Sequence, residues 1–298
     1  MTLIIAAFYH FAPLPDADGL RAPLRAAAEA GGVKGSILVA PEGINGTIVG
    51  PRDGIDAVLA HLRAWPGFAG LEHKESPADE MPFRRLKIRL KREIVTLGQP
   101  ADPRTEVGTY VAPDEWNAVI RDPDTVVIDT RNDYEIAIGS FEGALDPKTD
   151  SFGQFPDWWA ENRDQLEGKR IAMFCTGGIR CEKASSWLLQ QGVPEVLHLK
   201  GGILKYLEDV PEAESAWRGE CYVFDKRVAV GHRLAQGTHT ECNACGRPVS
   251  PDGRRHPAYI EGVQCAACVH EYSDADRERF AERHRQMARS GAVPPSRR

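Results

Sequence analysis

Residues Ile171 to Ser185, IAMFCTGGIRCEKAS, constrain this chain more than any other stretch. An apolar run ending in a cysteine reads as a short buried strand that delivers Cys175 to its C-terminal tip. A loop with Gly177 and Gly178 follows, and Glu182 onward opens a helix. Open α/β sheets keep their active sites at that end of their strands. The paired glycines let consecutive N–H groups face one centre, beside the positive end of the next helix dipole, so an anion there is favoured. Such surroundings lower a thiol pKa, and Cys175 is expected to act as a thiolate nucleophile. The competing reading is a buried structural cysteine beside a glycine turn.

At 298 residues the chain exceeds one typical domain, so two or three are expected. The opening MTLIIAAFYHFAPLPD has no basic start and only a short apolar stretch, and reads as a first strand rather than a signal peptide. With no run approaching a membrane span, a cytoplasmic location and no membrane partner are expected. Seven cysteines, four of them in two CxxC pairs, fit metal and catalytic use better than a secreted disulfide framework. The formal net charge of −6 argues mildly against nucleic acid, but charge is unevenly spread. Arg84 to Arg92 holds six cations in nine residues, with Leu86, Ile88 and Leu90 alternating against Lys87, Arg89 and Lys91. As a strand this turns an aliphatic side inward and, together with Arg84 and Arg85, offers a cationic surface for RNA phosphates. A charged edge that discourages aggregation explains it equally well.

The fold class read from the chain is α/β in three parts. Residues 1–98 suggest a ferredoxin-like α+β sandwich of βαββαβ order, which the resemblance named below makes an RNA-contacting domain. Its strands fall near Leu3–Phe8, Gly35–Val39, Gly46–Val49, Leu71–Lys74 and Arg84–Val95. Its helices are Gly19–Ala30 and the segment carrying Ile55, Val58, Leu59 and Leu62, with Asp53 as a possible cap. Glu42-Gly-Ile-Asn-Gly46 is either a hairpin connection or a loop that contacts a polar ligand. Residues 99–113 read as a linker. Residues 114–219 alternate helix and strand, which implies a parallel sheet, with Asp129, Arg131 and Glu135 following the strand Thr125–Asp129. In the extension 220–298, Cys221 to Val230 reads as a strand pair or extended arm. Cys242-Asn-Ala-Cys245 and Cys265-Ala-Ala-Cys268, with 19 residues between the pairs, suit a structural, fully thiolate zinc knuckle. The tail from Asp274 begins as a helix and frays through Pro294 to Arg298. No organic cofactor is evident.

Cys175-Thr176-Gly177-Gly178-Ile179-Arg180 resembles the active-site loop of the rhodanese family, whose cysteine carries sulfane sulfur as a persulfide. Related phosphatases resemble CX5R, which would need arginine at 181, where this chain has Cys181. In that fold Asp129 and Arg131, with Glu135 in support, resemble the acidic and basic pair that braces the loop, or are a structural ion pair, while Ser140 stands where many rhodaneses have histidine. The whole chain is similar to the bacterial rhodanese-like tRNA uridine hydroxylases, on the EGINGT segment from Glu42, Glu93 to Gly98, Gly108-Thr-Tyr, Asp129 to Asn132, Cys175 to Ala184 and Gly219 to Asp225. That resemblance implies hydroxylation of the wobble uridine to 5-hydroxyuridine, with dioxygen as co-substrate and a tRNA anticodon stem-loop as partner. Cys175, as thiolate or persulfide, would add to C6 of uracil, with Arg180 and the loop amides stabilising the developing anion. Cys181 would resolve an oxidised Cys175 or only pack. The rivals are a thiosulfate-type sulfurtransferase and a non-catalytic RNA-binding adaptor.

Overall fold

The computed structural model describes residues 2–78, 81–225 and 227–290. Two compact units divide the chain: Met1–Gly108 with Glu182–Val193, and Thr109–Cys181 with Pro194–Arg298.

In the first unit the elements run β1 (Leu3–Phe11), α1 (Ala17–Ala30), β2 (Lys34–Ala40), β3 (Gly43–Gly50), α2 (Arg52–Arg63), β4 (His73–Ala78) and β5 (Leu86–Leu90). The first four strands and two helices follow the expected βαββαβ order. Their sheet runs β4-β1-β3-β2-β5, antiparallel except where β5 lies parallel to β2 at the edge. Leu20, Leu24 and Ala28 recur every fourth residue on α1, and Ile55, Val58, Leu59 and Leu62 line one face of α2. Both stripes close on the sheet residues Ala6, Phe8, Ile37, Ile44 and Ile48 in one core.

Three local expectations for this unit are corrected. The EGIN residues are mostly strand: β3 begins at Gly43, leaving Pro41 and Glu42 as the connection to β2. Gly43 is required there, because at φ 147° a Cβ would sit 2.0 Å from the His10 carbonyl oxygen. Pro51, not Asp53, occupies the helix N-cap position, with Asp53 in the first turn. The basic strand ends at Leu90, and Leu90 itself is 41% exposed instead of facing the core, so only Leu86 and Ile88 anchor it.

The second unit is built on a parallel sheet of order β6-β10-β9-β7, from β6 (Thr109–Val111), β7 (Thr125–Asp129), β9 (Arg170–Phe174) and β10 (Val196–Leu199). Thr109–Val111 therefore pairs in this sheet, although the sequence reads it within a connecting segment. Between the strands lie α3 (Pro113–Arg121), α4 (Asp133–Ile136), β8 (Gly139–Phe141), α5 (Phe155–Asn162), α6 (Ile179–Gln190), whose residues from Glu182 onward belong to the first unit, and α7 (Gly202–Asp209). β8 pairs with β11 (Trp217–Gly219). Trp116, Phe141, Phe174, Tyr206 and Trp217 fill the core, with Phe141 edge-on to Phe174, Tyr206 and Trp217 at 4.8–5.2 Å. Downstream, β12 (Cys221–Tyr222) pairs with β13 (Ala229–Val230), as the strand-pair reading expects. Then come β14 (Thr240–Glu241), β15 (Pro248–Val249), α8 (Pro251–Arg255) and α9 (Asp274–Ser290). The fraying expected through Pro294 to Arg298 lies outside the described residues. Among those described, no helix is long and apolar enough to cross a membrane.

Candidate active site

Phe174 ends β9 and Cys175 follows at its C-terminal tip, but α6 starts at Ile179, three residues earlier than the sequence suggests. Arg180 and Cys181 consequently belong to its first turn, where backbone N–H groups have no partner within the helix. The Gly178 N–H donates to the Cys175 Sγ at 3.1 Å, and the Cys181 N–H and thiol also donate to it. Gly178 reaches this geometry at φ 108°. The loop carbonyls point away from the sulfur: Ile203 and Leu204, at the start of α7, donate to the carbonyls of Cys175 and Thr176 at 2.9 and 3.1 Å. Gly202 permits that approach, since a Cβ at its φ of 66° would meet the Cys175 oxygen at 2.5 Å.

Burial alone would push the Cys175 thiol up. The Cys181 thiol, the Arg180 charge and the two amides outweigh it and lower the pKa to about 5. Cys181 moves the opposite way, raised first by burial and then by the neighbouring sulfur. The expected anion cradle is therefore present. The expected exposure is not: Cys175 is 0% exposed, and of the loop only Gly177 and Ile179 are partly open to solvent.

The bracing groups form a buried chain. Arg180 binds Glu135 as a fork at 2.6 and 2.8 Å and reaches Thr176 Oγ1 at 3.2 Å, so its guanidinium is committed to Glu135 and acts on the sulfur through its charge. Burial would raise the Glu135 carboxyl, but Arg180 and Arg131 hold it below the usual range. Arg131 pairs with Asp129 at 2.6 Å, both fully buried, and donates to the carbonyls of Glu135 and Gly139. Asp129 and Arg131 thus hold the segment that presents Glu135 rather than touching the Cys175 loop themselves. Ser140, where rhodaneses often have histidine, donates to Asp129 at 2.8 Å.

Cys242, Cys245, Cys265 and Cys268 bring four sulfurs within 4.8 Å of one another, a set that could hold a metal ion. The basic strand borders a groove of about 690 Å³ on the first unit, where Arg85, Lys87 and Arg89 face Arg25, Glu29 and Lys34. Arg84, Arg85, Arg89 and Lys91 are exposed and Lys87 is half-buried.

Two domain families match in order: a UPF0176 acylphosphatase-like domain over residues 3–94 and a rhodanese-like domain over residues 112–209. A tRNA uridine(34) hydroxylase of Jannaschia sp. (strain CCS1) is 60% identical over 285 residues, covering 96% of this chain and 95% of that protein. The chain belongs to the tRNA uridine(34) hydroxylase family. Family members so named from Gluconobacter oxydans (57% identical; 95% of this chain, 92% of that protein) and Agrobacterium fabrum (58%; 95% and 91%) match over nearly the same span.

Three segments that carry the likeness to this family meet inside the first unit at a residue the sequence reading passed over. Lys183 is 1% exposed and bonds both Glu42 carboxylate oxygens at 2.8 and 2.9 Å, the Glu93 carboxylate and the Val95 carbonyl. Burial would raise the Glu93 carboxyl, but Lys183 and the N–H groups of Leu97 and Gly98 keep it below its ordinary value. Glu42 also accepts from the Ile94 N–H at 2.6 Å, and Asn45 donates to the Ile94 carbonyl at 3.0 Å. The polar groups of the EGIN segment are thus spent on holding residues 93–98, which favours the structural reading over a ligand loop. The available signal was the run of small residues around Lys183, since Cys181, Ala184, Ser185 and Ser186 together span more than half of the helix circumference and mark a turn enclosed on several sides. Thr130, also passed over, lies 3.4 Å from the Cys181 sulfur.

Proposed function

We propose that this chain hydroxylates the wobble uridine of tRNA at C5, using dioxygen, with Cys175 as the nucleophile. The observation that carries the assignment is the depressed thiol of Cys175, held by Gly178 and Cys181, in a chain 60% identical to a tRNA uridine(34) hydroxylase. The Cys175 thiolate adds to C6 of the uracil, which makes C5 electron-rich toward oxygen. Arg180 and the loop amides stabilise negative charge at the sulfur before addition and after its release. Because Cys175 has no exposed surface, the described conformation is a closed one, and the base reaches the sulfur only after the chain covering the loop moves. Thr176, Gly177, Gly178 and Ile179 shape the loop, with Glu135 fixing Arg180.

The anticodon stem-loop presents a base that is already unstacked, which keeps extrusion cheap. Arg84, Arg85, Lys87, Arg89 and Lys91 meet its phosphates along the groove of the first unit. A tRNA substrate supports a cytoplasmic location. Zinc suits the four cysteines: a tetrahedron with Zn–S of about 2.3 Å has S···S edges of about 3.8 Å, and three of the sulfur pairs lie at 3.9, 3.7 and 3.7 Å. Four thiolates leave no open position, so the metal's part is structural.

The test is nucleoside mass spectrometry of position 34 after incubating unmodified tRNA with purified protein in air. Wild type is expected to produce 5-hydroxyuridine, and Cys175→Ala to lose it by at least about 10³-fold. Product from Cys175→Ala at wild-type rates removes the nucleophile assignment. Rapid cyanolysis of thiosulfate with no hydroxylated nucleoside would favour a sulfurtransferase.

A further inference from the structure

The Cys175 loop holds a second sulfur that the addition chemistry leaves unused. Cys181 is fully buried in the first turn of α6, and its thiol donates to the Cys175 sulfur. On its other side the Thr130 hydroxyl lies 3.4 Å from the Cys181 Sγ and 3.0 Å from the Phe174 carbonyl. While Cys181 keeps its proton, the hydroxyl donates to the carbonyl. If Cys181 gives the proton up, the same hydroxyl can turn and donate to the sulfur. The pair thus has a built-in support for either sulfur as the anion.

Replacing C5–H by C5–OH with dioxygen leaves the second oxygen atom to become water, which takes two electrons and two protons. Two adjacent thiols release that number when they close to a disulfide. The geometry points to the Cys175–Cys181 dithiol as the reductant of the hydroxylation, oxidised to a disulfide once per turnover. This rests on the wobble-uridine reading above.

The steps balance. The Cys175 thiolate adds to C6, and the C5 carbanion takes up dioxygen and a proton to give a C5 hydroperoxide. Because C5 is two bonds from the Cys175 sulfur, that hydroperoxide forms beside Cys181. The Cys181 sulfur attacks the terminal oxygen, the O–O bond breaks, and C5–OH and a Cys181 sulfenic acid result. Loss of the C5 proton expels Cys175 from C6 and restores the ring double bond. The freed Cys175 thiolate attacks the sulfenic sulfur, forming S–S and releasing water after protonation. In sum, uridine, dioxygen and two thiols give 5-hydroxyuridine, water and one disulfide. An external thiol reductant must reopen the disulfide before the next cycle. The opposed pKa shifts of the two cysteines suit this division, since Cys175 is ionised for addition while Cys181 retains a proton for later.

The experiment uses full-length protein, reduced and then freed of small thiol, mixed with unmodified tRNA in air-saturated buffer. Position-34 nucleosides are quantified by mass spectrometry, and Cys175 and Cys181 are followed by denaturing quench, differential alkylation and peptide mass. The expected result is one 5-hydroxyuridine and one Cys175–Cys181 disulfide per chain, then arrest, with turnover resuming on addition of dithiothreitol. Cys181→Ser is expected to yield about tenfold less product or lower still without added thiol, at unchanged tRNA affinity. Repeated turnover without thiol, or product with both cysteines still reduced, overturns the dithiol and leaves the hydroxylase reading intact. Absence of product even with dithiothreitol removes that reading and the dithiol with it.

Discussion

The chain places seven cysteines in buried or half-buried positions and uses two of its sulfur groups in opposite ways. At the Cys175 loop the two sulfurs are unequal: one is lowered by donors and a cation, its neighbour raised by burial and by that sulfur. At Cys242, Cys245, Cys265 and Cys268 four sulfurs lie within 4.8 Å of one another, three of the pairs at 3.9, 3.7 and 3.7 Å. The residue type is the same, so the environment decides the chemistry. A strand end, two glycines and a helix start aim N–H groups at one sulfur and favour its anion, as the proposed nucleophile requires. Two CxxC turns bring four sulfurs together in a set that could hold a metal ion.

Exchanging the roles gives the largest expected effects. Removing the metal by chelation, or Cys268→Ala, is expected to unfold the C-terminal cysteine region, because structural zinc contributes roughly 10 kcal/mol or more to small domains. Elemental analysis should find one zinc per chain, and thermal melts should show a lower midpoint without it. Cys175→Ala is expected to abolish product while leaving the zinc content at one per chain. A protein that keeps its midpoint without metal, or loses its zinc along with Cys175, would erase the distinction.

Within the loop, Arg180→Ala leaves Glu135 as an uncompensated buried carboxylate, for an expected loss of about 3–5 kcal/mol in denaturant unfolding. It also removes a cation beside Cys175, so the thiol pKa should rise from about 5. Arg180→Lys keeps the charge without the two-pronged contact and should restore most of the pKa but less of the stability.

The pH dependence carries a definite sign. The folded Cys175 pKa lies near 5, below the roughly 8.5 of an unfolded thiol. Its contribution to stability is therefore fully present above the unfolded value and is lost as pH falls through the folded one. Cys175→Ser should flatten the part of the stability–pH curve between those two values.

The smallest effects belong to the basic strand. Lys87→Ala and Arg89→Ala should each weaken tRNA binding several-fold with little change in the chemical step, and each should reduce the log–log salt slope by about one. A change in turnover at saturating tRNA would place these residues nearer the chemistry than the groove suggests.

How much of this was legible in sequence follows from how local each cause is. The strand–Cys–Gly–Gly–helix order around Cys175 and the two CxxC pairs are set by neighbouring residues, and both were readable. The early start of α6 was not, because Arg180 and Cys181 become helical where the sulfur draws the Cys181 N–H and Glu135 draws the Arg180 guanidinium, a partner 45 residues away. Lys183 reads as a surface lysine until Glu42 and Glu93 are brought to it from distant strand ends. Leu90 fits the alternation of β5, yet it is the last residue of an edge strand and stays exposed. The burial of Cys175 has no local signature at all, since burial of a loop depends on what the rest of the chain packs around it.

Ultraviolet absorbance near 240 nm, taken as a difference between wild type and Cys175→Ala across pH, reads the thiolate without requiring any reagent to reach it. The account predicts a single Cys175 transition with its midpoint near pH 5 and full ionisation at neutrality. A midpoint at or above that of an ordinary thiol would mean that the loop does not hold an anion, and the nucleophile at position 175 would be lost.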